Sequence, residues 1–378
     1  MSNGYNAQRV VLNLLDRIDE AYPESRKQAV RDRMTDFFGG MMPTDRYPYV
    51  VCVGAPDAPS IPAEVGPYDR ELITQLHNLL YRAPYGDDSY PALSPGVVQS
   101  VIPSVFGCTE RFAENSVSVV PVIKDPEDVY KLAPTGFIPG TAGYQMLDKI
   151  RCWRERTEGR ISFFEADQQG PFSVASQVWG IEDFLLATYD SPDEVKHLLG
   201  LCTDAIVEYI GLMTGAVQGD IIPLHCHPYT FFPKDKGWAI SEDLAVVVSP
   251  AIVEEFMNPS IERLAREYGG IILHSCGSFI NVIPALNRIN GLIGLNFSSC
   301  ETDLPRLASE FRRDAVLLVH NSPVATGNLP VLLPMEHARH CADVFNSHKR
   351  SGTIFIMNLD NSLTPTCAAA LASAAAVR

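Results

Sequence analysis

Residues 292–322 read "LIGLNFSSCETDLPRLASEFRRDAVLLVHNS": an apolar run, a short amphipathic segment and a second apolar run. Both runs are apolar throughout rather than alternating, as strands are when both faces are covered. Strands joined through a helix run parallel, because a tight hairpin reverses direction and a crossover restores it. The same unit recurs on either side. "GDIIPLHCH" (219–227) precedes a helical stretch around "SPAIVEEFMNPSIERLAREYGG", and "IILHSC" (271–276) precedes "INVIPALNRING". After the quoted stretch come "EHARHCADVFNSHKR", then "TIFIMNLDN" (353–361) with "TPTCAAALASAAA". Five strand-then-helix units in sequence predict a parallel α/β fold. Upstream, "RISFFEADQQG" with "PFSVAS", and "SVSVVPVI" ahead of "DPEDVYKL", supply earlier members of the repeat. A (β/α)8 TIM barrel needs about 250 residues, and the chain has 378. A doubly wound open sheet is the alternative, disfavoured because no glycine-rich phosphate turn follows a strand.

Ahead of the barrel, residues 7–40 carry apolar residues at helical spacing: Val10, Val11, Leu14, Leu15 and Ile18, then Val30, Met34, Phe37 and Phe38. Two amphipathic helices are expected there, the second stopped by Gly39 and Gly40. The proline-rich stretch 41–68 reads as a strand flanked by loop. The domain expectation is an N-terminal helical extension over 1–70, packed on a barrel over 71–378.

Composition narrows the function. The chain is 46% hydrophobic and 20% charged, enough apolar residue for a large core. A net charge of -15 argues against nucleic-acid or polybasic membrane binding. The charged N-terminus does not read as a signal peptide, and no uninterrupted apolar run is long enough to span a bilayer. A cytoplasmic protein is expected. Nine scattered cysteines fit free thiols rather than a disulfide framework.

In a parallel barrel, chemistry gathers at the C-terminal ends of the strands. Those ends here carry His225-Cys226-His227, His274-Ser275-Cys276, Cys300-Glu301, His320-Asn321-Ser322, and Asn358 with Asp360 and Asn361. Alternate residues of a strand share a face, so His274 and Cys276 can aim an imidazole and a thiolate at one ion. Zinc suits that nitrogen and sulfur mixture. The bland alternative is a buried thiol beside a core histidine. For His225 and Cys226 the alternative is a loop that only shapes the pocket. Asp167, Gln168 and Gln169, ahead of the tight Gly170-Pro171-Phe172 turn, are expected at the mouth, either touching substrate or solvated. Asp190-Ser191-Pro192 opens a further helix with acidic residues in its first turn.

Three segments, "QQGPFSVASQVWGIEDFLLATYDSPDEVKHLL" (168–199), "ISEDLAVVVSPAIVEEFMNPSIERLAREYGGIILHSCGS" (240–278) and "MNLDNSLTP" (357–365), together resemble the uroporphyrinogen decarboxylase superfamily. The resemblance runs from about residue 100 to the C-terminus and implies a TIM barrel with N-terminal additions. The decarboxylase proper carries an Arg-Gln-Ala-Gly-Arg segment, absent from "RYPYVVCVGAPDAPS" here. The other branch, zinc-dependent methyltransferases using a corrinoid, carries the His-x-Cys-Gly element. On that resemblance His274 and Cys276 are zinc ligands. The branch's third ligand, a cysteine after the last strand, meets Asn361 here, leaving Cys226, Cys300, His225 or Asp360 as substitutes. The resemblance implies methyl transfer between a corrinoid, or another methylated donor, and a thiol-type acceptor. Asp167, Glu165 and Gln169 would line the donor side, His225 would join them as a catalytic group, and Glu110 matches an acidic residue of the family. A corrinoid protein as partner and a homodimer are further expectations. The rivals are a metal-free decarboxylase or lyase, with Asp167, His225 and His274 as acid-base groups, and a non-catalytic corrinoid-binding barrel.

Overall fold

The computed structural model describes residues 6–57, 59–96, 98–113, 116–224, 229–322, 324–358 and 362–378. Eleven strands appear among them: β1 Tyr49–Cys52, β2 Ala92–Leu93, β3 Thr109–Ala113, β4 Ser116–Val120, β5 Ser162–Phe164, β6 Ile221–Ile222, β7 Trp238–Ser241, β8 Ile271–His274, β9 Leu292–Ser298, β10 Val316–His320 and β11 Gly352–Met357. One parallel sheet has the order β1-β11-β10-β9-β8-β7 and a second has β2-β5-β6. Backbone contacts join the two into a ring. Ala239 N–H donates to Pro223 O, and Gln169 bridges Ser241 in parallel beyond β5. At the other seam, among the described residues, no strand pairs with the free edge of β1, and side chains cover it: Asp88 accepts from Tyr49 N–H and Asp87 from Val51 N–H.

Eight strands of the ring lead into helices. β6 is the exception, two residues long and turning back into β7 without one. This is the expected TIM barrel. Two readings change. "SVSVVPVI" is not a barrel strand: β4 pairs antiparallel with β3 as a side hairpin, and an alternating pattern is what a half-covered hairpin requires. "GWAIS", passed over in the sequence, is β7.

The barrel has two apolar layers. Residues such as Val51, Leu273, Leu295 and Leu317 face the helices. Val50, Ala92, Phe164, Ile222, Ala239, Ile272, Leu318 and Phe355 fill the interior, and Val30, Met34 and Phe37 of the helix Glu24–Phe38 join that same cluster. The N-terminal helices Ala7–Ala21 and Glu24–Phe38 therefore do more than decorate the barrel. The second closes its N-terminal end, with Phe38 and Phe232 rings 4.6 Å apart. Burying each such side chain contributes about 2 kcal/mol. The stretch 49–52, assigned in the sequence to the extension, lies inside the sheet as β1, paired with β11. A boundary at residue 70 thus cuts the barrel.

By length and composition one helix, Pro192–Ala216, is apolar enough to cross a membrane. Its Leu198, Ile206, Tyr209 and Ile210 are buried in the protein instead.

A candidate metal centre at the barrel mouth

Register brings the site together. Ser241 at the end of β7 pairs with His274 at the end of β8, and His274 pairs with Asn296 of β9. Two residues past each strand end, alternation returns Asp243 and Cys276 to the same side. The ligand atoms of Asp243, His274 and Cys276 all lie within 4.8 Å of one another, the one such three-donor group among the described residues.

The imidazole is fixed by its neighbours. Asn296 Nδ2 donates to Leu318 O at 2.8 Å, which orients the amide so that its Oδ1 faces His274 Nδ1 at 2.7 Å. Oδ1 can only accept, so Nδ1 carries the proton and Nε2 keeps its lone pair. Nε2 stands 3.5 Å from Cys276 Sγ. Two such ligands on one tetrahedral zinc are about 3.6 Å apart, given zinc–sulfur and zinc–nitrogen bonds of about 2.3 and 2.05 Å. His274 and Cys276 therefore fit that ion with little rearrangement.

Asp243 is held at both oxygens. Cys276 N–H donates to Oδ1 at 2.8 Å and Gln169 Nε2 to Oδ2 at 3.0 Å. The next amide, Gly277 N–H, donates to Glu301 at 3.1 Å. Glycine is required there, because φ is +136° and a Cβ would lie 2.7 Å from Val246. Partial burial of the sulfur, with Asp243, Glu301 and Asp167 around it, pushes the Cys276 thiol up to about 12. A bound cation reverses that balance by stabilising the thiolate.

The other predicted residues divide. Gln169 reaches Asp243, and Asp167 lies beside the group, accepting from Ser241 Oγ at 2.9 Å. His320 stacks near His274, with ring centroids 6.0 Å apart. Glu165 directly follows β5 and is fully buried. Its charge is felt by Tyr209 and Tyr268 on two outer helices. Burial, then Asp167, raises its carboxyl well above the usual range. Cys300 is not brought into the donor group, its sulfur lying 3.2 Å from Ser298 Oγ and 3.3 Å from Thr326 Oγ1. Burial disfavours that thiolate, but these hydroxyls outweigh it and lower the thiol's value. His225, Cys226, Asp360 and Asn361 lie outside the described residues. Glu110 lines a cleft of about 620 Å³ with Tyr68, Glu71 and Lys149, sharing no residue with the donors.

Asp243 and Asn296 were missed in the sequence. The signal for Asp243 was present in "WAISED", a buried run ended by two acids. For Asn296 it was a lone amide inside an apolar strand.

The family model for uroporphyrinogen decarboxylase (URO-D) matches residues 97–219. A "Methylated-thiol--coenzyme M methyltransferase" of Methanosarcina mazei is 28% identical over 172 residues, 44% of this chain. The match spans 41% of that relative's length. Among solved structures, a "methyltransferase from Methanosarcina mazei" superposes with a TM-score of 0.61 at 17% identity, covering 91% of this chain and 97% of the other. The likeness in structure is one of fold. The URO-D segment ends before β7, so it holds Gln169 and Asp167 but none of the three donors.

Proposed function

We propose that the chain is a zinc-dependent methyltransferase, moving a methyl group between a corrinoid or other methylated donor and a thiol-type acceptor. The observation that carries the reading is the Asp243, His274 and Cys276 cluster at the barrel mouth. Zinc bound there would hold an acceptor thiol as its thiolate at neutral pH, the form that attacks a methyl group. His274 offers Nε2 because Asn296 occupies Nδ1, and Cys276 offers sulfur. Asp243 is the third donor in place of a ligand at Asn361. Asp167, anchored by Ser241, faces the same opening and takes the proton released by the acceptor. The named relatives support methyl transfer over decarboxylation within the family. A corrinoid protein as methyl carrier, a homodimer and a cytoplasmic location belong to the same proposal.

The test is metal analysis of protein purified without added zinc. About one equivalent is expected, lost in Cys276→Ser and Asp243→Asn and kept in Cys300→Ser. Wild-type protein that is folded, carries no zinc and takes up none in a titration would sink the reading. Zinc-loaded protein should then demethylate methylcobalamin in the presence of a thiol, followed by absorbance. A metal-free lyase would do neither.

A further inference from the structure

Glu242 stands between two site residues, Ser241 and Asp243, yet its side chain turns away from the mouth. It is 1% exposed. Its carboxylate caps the helix Pro171–Trp179, accepting from Phe172 N–H at 3.0 Å, Ser173 N–H at 2.8 Å and Ser173 Oγ at 2.8 Å. The helix start is shaped around it. Pro171 needs no partner for a missing N–H, and Gly170 leaves the room: a Cβ there would lie 2.4 Å from a Glu242 oxygen. Gly170 N–H also donates to Ser241 O at 2.7 Å, and Glu242 N–H donates to His274 O at 2.8 Å. One residue thus ties the β5 segment that carries Asp167 and Gln169, the β7 end that carries Asp243, and the β8 end that carries His274.

We infer that Glu242 is the positioning residue of the metal centre, a buried carboxylate that sets the spacing of Asp243 against His274 and Gln169. The inference rests on the zinc reading above. Free helix N–H groups attract a carboxylate, and three hydrogen bonds fix it in one rotamer. The adjacent Asp243 inherits that rigidity through the backbone. Gly170 and Glu242 then form one device, which gives the Gly-Pro-Phe turn a role in metal binding although none of its side chains touches the ion.

Glu242→Gln keeps the shape and replaces one accepting oxygen with a donor that the helix N–H groups cannot use. Zinc affinity, measured by competition with a chromophoric chelator, should fall at least tenfold, and the cobalt(II)-substituted protein should show altered visible bands. Ser173→Ala removes one bond only and should weaken zinc about threefold; it serves if Glu242→Gln does not fold. Arg350→Met is the stability control, remote from the donors, and should lower the melting temperature with zinc affinity unchanged. Wild-type zinc affinity and cobalt spectra in folded Glu242→Gln or Ser173→Ala would overturn the inference. Wild-type protein that binds no zinc would instead overturn the reading beneath it.

Discussion

At the scale of single residues, the imidazole of His274 depends on one buried amide, that of Asn296. Asn296→Ala frees Nδ1, so the ring can rotate and change tautomer. Zinc affinity should drop about 10- to 100-fold, as read by chelator competition, while Asn296→Asp should hold the ring in place and retain zinc. Equal affinity in wild type and Asn296→Ala would show that the strand alone orients the ring. His274 and Cys276 were legible in the sequence because one strand supplies both, and its alternation is visible in four letters. Asp243 and Asn296 come from neighbouring strands, so their approach depends on register, which a sequence does not state.

Among the elements, the helix Pro334–His348 carries a titration that affects stability. His337 is fully buried, 3.1 Å from Ser299 Oγ, and burial pushes it down to about 4 from the usual 6.5. The folded chain keeps it neutral where the unfolded chain binds a proton. Its contribution is therefore intact above pH 6.5 and is lost as pH falls towards 4, an effect on the order of 3 kcal/mol. His337→Gln retains a partner for Ser299 and should flatten the urea midpoint across that window. An unchanged slope would mean that other groups dominate acid unfolding. The strands β8 to β11 were legible because each is a buried apolar run between helical segments. β7 was not, since four residues after a long irregular stretch give no periodicity. The hairpin β3–β4 was misread because β-branched letters report a strand without reporting its partner.

On the scale of the whole molecule, the fold class followed from the repeat of strand and helix, whereas the closure of the ring did not. Closure uses Asp87 and Asp88 as substitutes for strand carbonyls and the helix Glu24–Phe38 as the floor. Removing residues 1–40 takes away Val30, Met34 and Phe37 and exposes interior residues such as Phe355 and Leu318 at the base. The truncated chain is expected to aggregate, measured by light scattering, whatever metal is supplied. A monodisperse truncated protein with native circular dichroism would show that the floor is dispensable.

The donors all come from the ends of β7 and β8, adjacent strands on one side of the ring. An ion held there would sit against the wall, off the barrel axis. Among the described residues, none of the three donors comes from the arc of the mouth between β9 and β1, so in the zinc reading a methyl donor and an acceptor would approach the ion from that side. Eccentric placement of a bound metal would thus turn a single-entrance barrel into a meeting place for two reactants.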